Sequence, residues 1–188
     1  GWINLSDARN VTKDTFEKWT RRAVPRQGDV VLTREAPLGE VGIIRTDEPI
    51  FLGQRTVMYR ANPDKILPHF LYYSLLSHDV QAQIKAFGFG STVSHMRVPD
   101  AKKLQMKVPD TVTQEKIICV MNSYDSMIEA NQRRIQLLEE SARLLYREWF
   151  VKLRFPGHET VPVVDGVPEG WKLINLFNFA DVTYGFPF

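Results

Sequence analysis

The sequence has one cysteine in 188 residues, Cys119, so no internal disulfide is available. That scarcity fits a reducing compartment, and the apolar neighbours Ile117, Ile118 and Val120 predict a buried, inert thiol rather than a nucleophile. No apolar run approaches the roughly 18 residues of a membrane-spanning helix, so none is expected. The opening Gly-Trp-Ile-Asn-Leu has no basic stretch leading into an apolar one, no secretory signal is read there, and the expected location is the cytoplasm. Charge of one sign is scarce as well. A formal net charge of +2, from 24 Lys/Arg and 22 Asp/Glu, does not by itself mark a nucleic-acid binder. The distribution is uneven: residues 1–110 carry 16 basic and 12 acidic side chains, residues 111–155 carry 7 and 6, and residues 156–188 carry 1 and 4. The positive excess sits in the first segment, a weak footprint for a polyanionic partner that an ordinary solvated surface explains equally well.

Patterns that carry chemistry are also missing. His69, His78, His95 and His158 lie far apart without helper cysteines, so no metal site is expected. There is no phosphate-cradling Gly-x-x-x-x-Gly-Lys and no Gly-x-Ser-x-Gly elbow. Phe87-Gly88-Phe89-Gly90 has the composition of an adenosylmethionine-binding turn, but it follows a helical pattern where that turn must follow a strand. Asp64, Asp100 and Lys102 stand in the order of a metal-dependent nuclease site, yet both acids lie in turn-forming contexts beside Pro63 and Pro99. The expectation is a protein without catalysis and without a cofactor of its own.

What is present reads as a mixed α/β (α+β) domain followed by a long coiled-coil helix. With 44% apolar and 24% charged residues, the chain has the composition of a globular protein of one ordinary or two small domains. Stretches 29–34, 40–45 and 56–60 are short strand candidates separated by turn residues such as Pro49 and Gly53. Pro68 suits a first helical turn, and Phe70, Leu71, Tyr73, Leu75, Val80, Ile84 and Phe87 continue one helical pattern up to Gly88. Residues 94–98 and 105–108 read as short extended pieces.

From residue 111 the pattern changes. Ile117, Met121, Tyr124, Ile128, Asn131, Ile135, Leu138, Ala142, Leu145 and Trp149 recur at alternating intervals of 4 and 3, a heptad without a proline. Such a period predicts a long helix with a seam for a partner helix, about 50 Å from 117 to 149, with Asn131 as the polar residue that selects register. Packing of this helix on its own domain is the other reading. The expected organisation is a domain over 1–110, a spacer and pairing helix over 111–155, a linker over 156–170, and the opening of a further domain over 171–188.

Three stretches resemble the DNA specificity subunits of type I restriction–modification systems. They are Gly-Asp-Val-Val-Leu-Thr-Arg-Glu-Ala-Pro-Leu-Gly-Glu-Val-Gly-Ile-Ile (28–44) with Phe-Leu-Gly-Gln-Arg-Thr-Val (51–57), and Phe-Leu-Tyr-Tyr-Ser-Leu-Leu (70–76) with Gly-Ser-Thr-Val-Ser-His-Met (90–96) and Val-Pro-Asp-Thr-Val-Thr-Gln-Glu-Lys-Ile (108–117). The third is the heptad helix ending Leu-Leu-Tyr-Arg-Glu-Trp-Phe-Val (144–151). The resemblance covers residues 1–155, and 167–173 resembles the opening of such a domain. It implies a fragment holding most of one target-recognition domain, the helix after it and the start of the next. In such subunits each of two recognition domains reads half of a split site in double-stranded DNA, and the helices pair antiparallel as a ruler. The helices recruit methyltransferase subunits, which hold adenosylmethionine, and endonuclease subunits that use ATP and Mg²⁺ complete the assembly. For this fragment, pairing within a full subunit or with a second copy is implied. A non-reading dimerisation or adaptor role is the alternative.

Reading DNA needs hydrogen-bonding side chains on firmly held loops, with cations on phosphates. Ser91, Thr92, His95 and Arg97 lie on a glycine-opened loop with Gly90 and Ser94. Arg34, Gln54 and Arg55 stand at strand ends, and Arg and Gln suit bidentate contacts to guanine and adenine. Lys13, with Arg21, Arg22 and Arg26, is a candidate for phosphates. An ordinary surface role explains any one of these equally well.

Overall fold

The computed structural model describes residues 3, 5, 8–89, 94–180, 183 and 185. It divides into two compact units, Gly1–Ser126 and Met127–Phe188.

The first unit is built on a three-stranded antiparallel sheet of order β2-β1-β3, with β1 Val30–Arg34, β2 Leu38–Ile43 and β3 Thr56–Tyr59. Val30, Val31 and Leu32 form a β-branched and apolar run, and all three are buried, as the central strand of a covered sheet requires. Val30 faces Ile43 on one side and Tyr59 on the other; Leu32 faces Val41 and Val57. The β1–β2 ladder slips between Leu32 and Arg34. There the Thr33 hydroxyl takes over the pairing, accepting from Glu40 N at 2.9 Å and donating to Pro37 O at 2.6 Å. Helices α2 (Pro68–Leu76) and α3 (His78–Phe87) cover the sheet, and Leu71, Leu75, Val80 and Ile84 close the core over Val30, Leu32, Val41 and Ile43.

The expected strands are present within a residue or two of their predicted ends. The single helix expected from Pro68 to Gly88 is two. Ser77 adopts φ −62° and ψ 149°, its hydroxyl donates to Ser74 O at 2.7 Å, and the same oxygen caps Val80 N. A serine that satisfies both helix ends breaks a pattern that hydrophobic periodicity alone continues. Two further elements are short helices, namely α1 (Lys13–Trp19), which no periodicity marks, and α4 (Val98–Ala101). The expected extended piece at 105–108 forms no strand. Gln105 instead exchanges two backbone bonds with the Gln83 side chain, 2.9 Å from N to Oε1 and 2.8 Å from Nε2 to O.

Helix α5 runs Thr111–Tyr146. Asp110 starts it, its carboxylate accepting from Thr113 N at 2.9 Å and Thr113 Oγ1 at 2.8 Å. Within the first unit α5 docks through Gln114, Ile118, Asn122 and Asp125. Gln114 is fully buried, and the Tyr73 hydroxyl lies 2.8 Å from both Asn122 Oδ1 and Asp125 Oδ2. This stripe is turned about 100° around the helix from the heptad seam. Cys119, expected to be buried, is exposed. Its neighbours in sequence fall on other faces of the helix, so an apolar neighbourhood in the chain is no neighbourhood in space.

In the second unit α5 ends in a π-helical turn, Arg147–Val151. Within 156–170, read as a linker, Val163–Val164 pairs antiparallel with Val167–Pro168 across Asp165-Gly166. Both turn residues have positive φ, 51° and 80°, which the Asp-Gly pair of a tight hairpin supplies. Trp171 stacks on Phe155 at 5.2 Å and tilts against Phe150 at 5.6 Å. Among the described residues no helix is long and apolar enough to cross a membrane.

Candidate nucleic-acid interface

One end of the sheet gathers side chains that are far apart in sequence. The end of β1 carries Arg34 and Glu35. On one flank Gln54 and Arg55 form the tip of a turn closed by Thr56 N to Gly53 O at 3.2 Å, and Arg34 N donates to Arg55 O at 2.7 Å. On the other flank Met96 N donates to Arg34 O at 2.9 Å, and His95 bridges both Glu35 and Phe89. Five of the expected residues, Arg34, Gln54, Arg55, His95 and Arg97, thus meet at this edge.

They do not play equal parts. The Arg34 guanidinium donates to Met96 O at 3.0 Å and to Gln54 O, so both of its terminal nitrogens are used to tie the two flanking loops to β1. The Arg55 side chain stays 63% exposed and meets Glu35 through Nε, 3.5 Å from Oε1. The contact runs through Nε rather than through either terminal nitrogen. The His95 ring packs 4.0 Å from the exposed Phe89 ring, and the Arg97 guanidinium lies over the same ring at 5.3 Å. Arg97 Nε also donates to Asp100 at 2.9 Å. The Lys103 ammonium and then Arg97 hold the Asp100 carboxyl below its ordinary range, so it stays ionised and steadies the loop. Tyr59 anchors α4 from β3, donating to Ala101 O at 2.9 Å, and burial pushes its hydroxyl up to about 12.

Gly88 opens the loop at a place where a side chain fits only if its neighbours shift. A Cβ there would lie 2.6 Å from Leu38 Cδ2 and against Ser94 Oγ. Ser91 and Thr92 lie outside the described residues, as does Gly90. Lys13 is on α1, exposed and 3.8 Å from Glu17, and no described contact brings it to the cluster. Arg21, Arg22 and Arg26 are exposed. Arg22 lines an open hollow of about 510 Å³ with Trp19, Val57, Tyr59 and Lys102, next to the turn that carries Arg55. Glu35 and Phe89 join the cluster through their bridges to His95, and Asp100 through its ion pairs with Arg97 and Lys103; residue type alone does not assign any of the three to this edge. Of the nuclease candidates, Asp100 is committed to its two ion pairs and Asp64 is exposed in a turn. No group of three or more His, Cys, Asp or Glu suited to a metal occurs among the described residues.

The seam residues Ile117, Met121, Tyr124, Ile128, Asn131, Ile135, Leu138, Ala142, Leu145 and Trp149 are all exposed. The helix therefore docks on its own unit by its polar stripe and leaves the apolar one in water.

The family described as the type I restriction modification DNA specificity domain matches residues 1–140. The MjaIX specificity subunit of Methanocaldococcus jannaschii is 26% identical over 181 residues, covering 94% of this chain and 41% of that protein. The HindI specificity subunit of Haemophilus influenzae is 26% identical over 131 residues, 67% of this chain and 28% of that one. Among solved structures, the S subunit of a type I restriction-modification system from M. genitalium superposes with a TM-score of 0.58 at 21% identity, over 67% of this chain and 33% of that one. The chain thus spans well under half the length of these relatives. With three-quarters of its length inside one family and its fold shared, this chain belongs to the type I restriction–modification DNA specificity-domain family.

Proposed function

We propose that this chain reads half of a bipartite site in double-stranded DNA as part of a type I restriction–modification specificity subunit, without catalysis or cofactor of its own. The observation that carries the reading is the convergence of Gln54 and Arg55 from one stretch and His95 and Arg97 from another on one sheet end, held there by Arg34 and Asp100. Loops fixed in this way present donors to base edges without first having to be ordered. Lys13, Arg21, Arg22 and Arg26 serve as phosphate contacts, and Ser91 and Thr92 as further polar contacts. The work is cytoplasmic. Adenosylmethionine belongs to methyltransferase subunits, and ATP and Mg²⁺ to endonuclease subunits, that assemble on α5.

The exposed seam supports the assembly role. A helix that leaves an apolar stripe about 120° wide in water is stabilised by a second helix, from the same subunit or a second copy. Replacing Ile128 and Leu138 together by Asp is expected to abolish the complex with the methyltransferase subunit measured by light scattering. The DNA reading is tested by selecting bound duplexes from a random pool with that complex and repeating the binding over a salt series. A recovered half-site, with affinity falling as salt rises, is the expected result. Arg55→Ala should cost about 1–3 kcal/mol and relax one base position. Equal binding to all sequences would overturn the reading and leave the alternative, a coiled-coil adaptor.

A further inference from the structure

The Glu35 carboxylate is out of place on a surface meant for phosphates. It sits at the end of β1, 31% exposed, with Arg55 Nε on one side and the His95 backbone paired to its own. A carboxylate in this position weakens sequence-independent attraction to DNA, so its effect has to be sought in discrimination. Its neighbour Arg34 is held by backbone carbonyls, so the edge that remains outward is the Arg55–Glu35 pair. That pair offers two N–H donors beside one anionic acceptor.

The major-groove edge of a G·C pair offers the complement. Guanine presents acceptors N7 and O6, and cytosine presents an N4–H donor next to O6. An A·T pair orders its groups acceptor, donor, acceptor, which sets a donor against Arg55 and gives Glu35 the O4 of thymine to repel. Building on the DNA-reading role above, we propose that the Arg55–Glu35 pair reads one G·C pair of the half-site. Arg55 takes guanine, Glu35 takes the cytosine amino group, and Glu35 is a specificity-determining residue. In the unbound protein the Nε contact to Glu35 keeps Arg55 on this edge. On the matching base pair both partners stay satisfied, and on any other Glu35 loses its donor.

The test uses the methyltransferase complex of this chain and the selected half-site, with each guanine replaced in turn by 7-deazaguanine and each cytosine by N4-methylcytosine. One G·C position is expected to respond to both replacements, each weakening binding by about 5-fold or more, within the roughly 5- to 150-fold range of a base-edge contact. At that position Glu35→Ala should erase the N4-methyl penalty, and Glu35→Gln should tighten binding to unrelated duplexes at low salt. The replacements in DNA leave the wild-type protein intact, so a folding defect in a variant cannot imitate their result. A half-site in which no G·C position responds to both replacements, or a response that Glu35→Ala leaves unchanged, overturns the inference while leaving DNA reading in place. Equal binding to every duplex overturns both.

Discussion

Replacing Gln114 by Leu keeps the side chain's size and removes its hydrogen bonds, and the structure gives the cost. Gln114 is 0% exposed. Its Oε1 accepts from Leu67 N at 2.8 Å, and its Nε2 donates to Lys65 O at 3.1 Å and Pro109 O at 2.8 Å. Leucine orphans one buried backbone N–H and removes a partner from two carbonyls, each of which retains a second lone pair. An orphaned buried group costs about 1–3 kcal/mol, and the N–H is the most severe case because it has one bond to make. Part of this is recovered because leucine is cheaper to bury than an amide, so the net loss is about 3 kcal/mol. That is a large fraction of the roughly 5–15 kcal/mol of a typical domain. Thermal unfolding followed by circular dichroism should show a fall of roughly 10 °C. Gln114→Glu adds a check of sign. It keeps the acceptor for Leu67 but sets a carboxylate against two carbonyls, so burial and repulsion raise its folded pKa above the unfolded value near 4.3. Its deficit relative to wild type should therefore be small below about pH 4 and grow as the pH rises through the raised value. A loss under about 1 kcal/mol for Gln114→Leu, with no pH dependence for Gln114→Glu, would refute the view that this side chain ties α5 to its domain.

Two further perturbations probe the scaffold. Asp29 is buried and chelated by Arg60, with Nε to Oδ1 at 2.8 Å and NH2 to Oδ2 at 2.7 Å, and it accepts from Arg26 N at 2.9 Å. Burial alone would raise its pKa, but the bonds from Arg60 and Arg26 outweigh that and the result is a lowered value. The lowered value stabilises the fold above the unfolded pKa near 3.9, and the stabilisation is lost as pH falls through the folded value. Asp29→Asn should thus be less stable than wild type at pH 7, by about 2–4 kcal/mol, and converge with it in acid titrations carried below the folded value. Gly88→Ala pushes aside the ends of the Leu38 and Ser94 side chains; it should weaken DNA binding severalfold while moving the melting temperature by only a few degrees, since both are flexible side-chain ends that can give way.

How much of this was legible beforehand depended on the range of the interactions concerned. The α5 heptad was readable because helical periodicity is a local property, and so were the strands, whose β-branched runs suit a pleated and buried surface. Residue type pointed to Arg55, Gln54, His95 and Arg97, because few side chains can make directed contacts with base edges. The family resemblance rested on the order of three such local patterns. Pattern alone misassigned Cys119, whose apolar neighbours in sequence lie on other faces of the helix.

Tertiary structure decided which of two stripes on α5 meets its own domain. The apolar stripe was read as a seam for a partner helix, with its own domain as the other reading; the polar stripe is the one that docks, because Gln114, Asn122 and Asp125 find complementary partners in the backbone around Leu67 and in Tyr73. It also decided that Arg34 holds loops while Arg55 faces outward, and that Glu35 stands beside Arg55. Sequence determines what each side chain can donate, accept or bury within a turn or two. Which partner it meets across 20 or 60 residues is set only when the sheet closes and brings the distant loops to one edge.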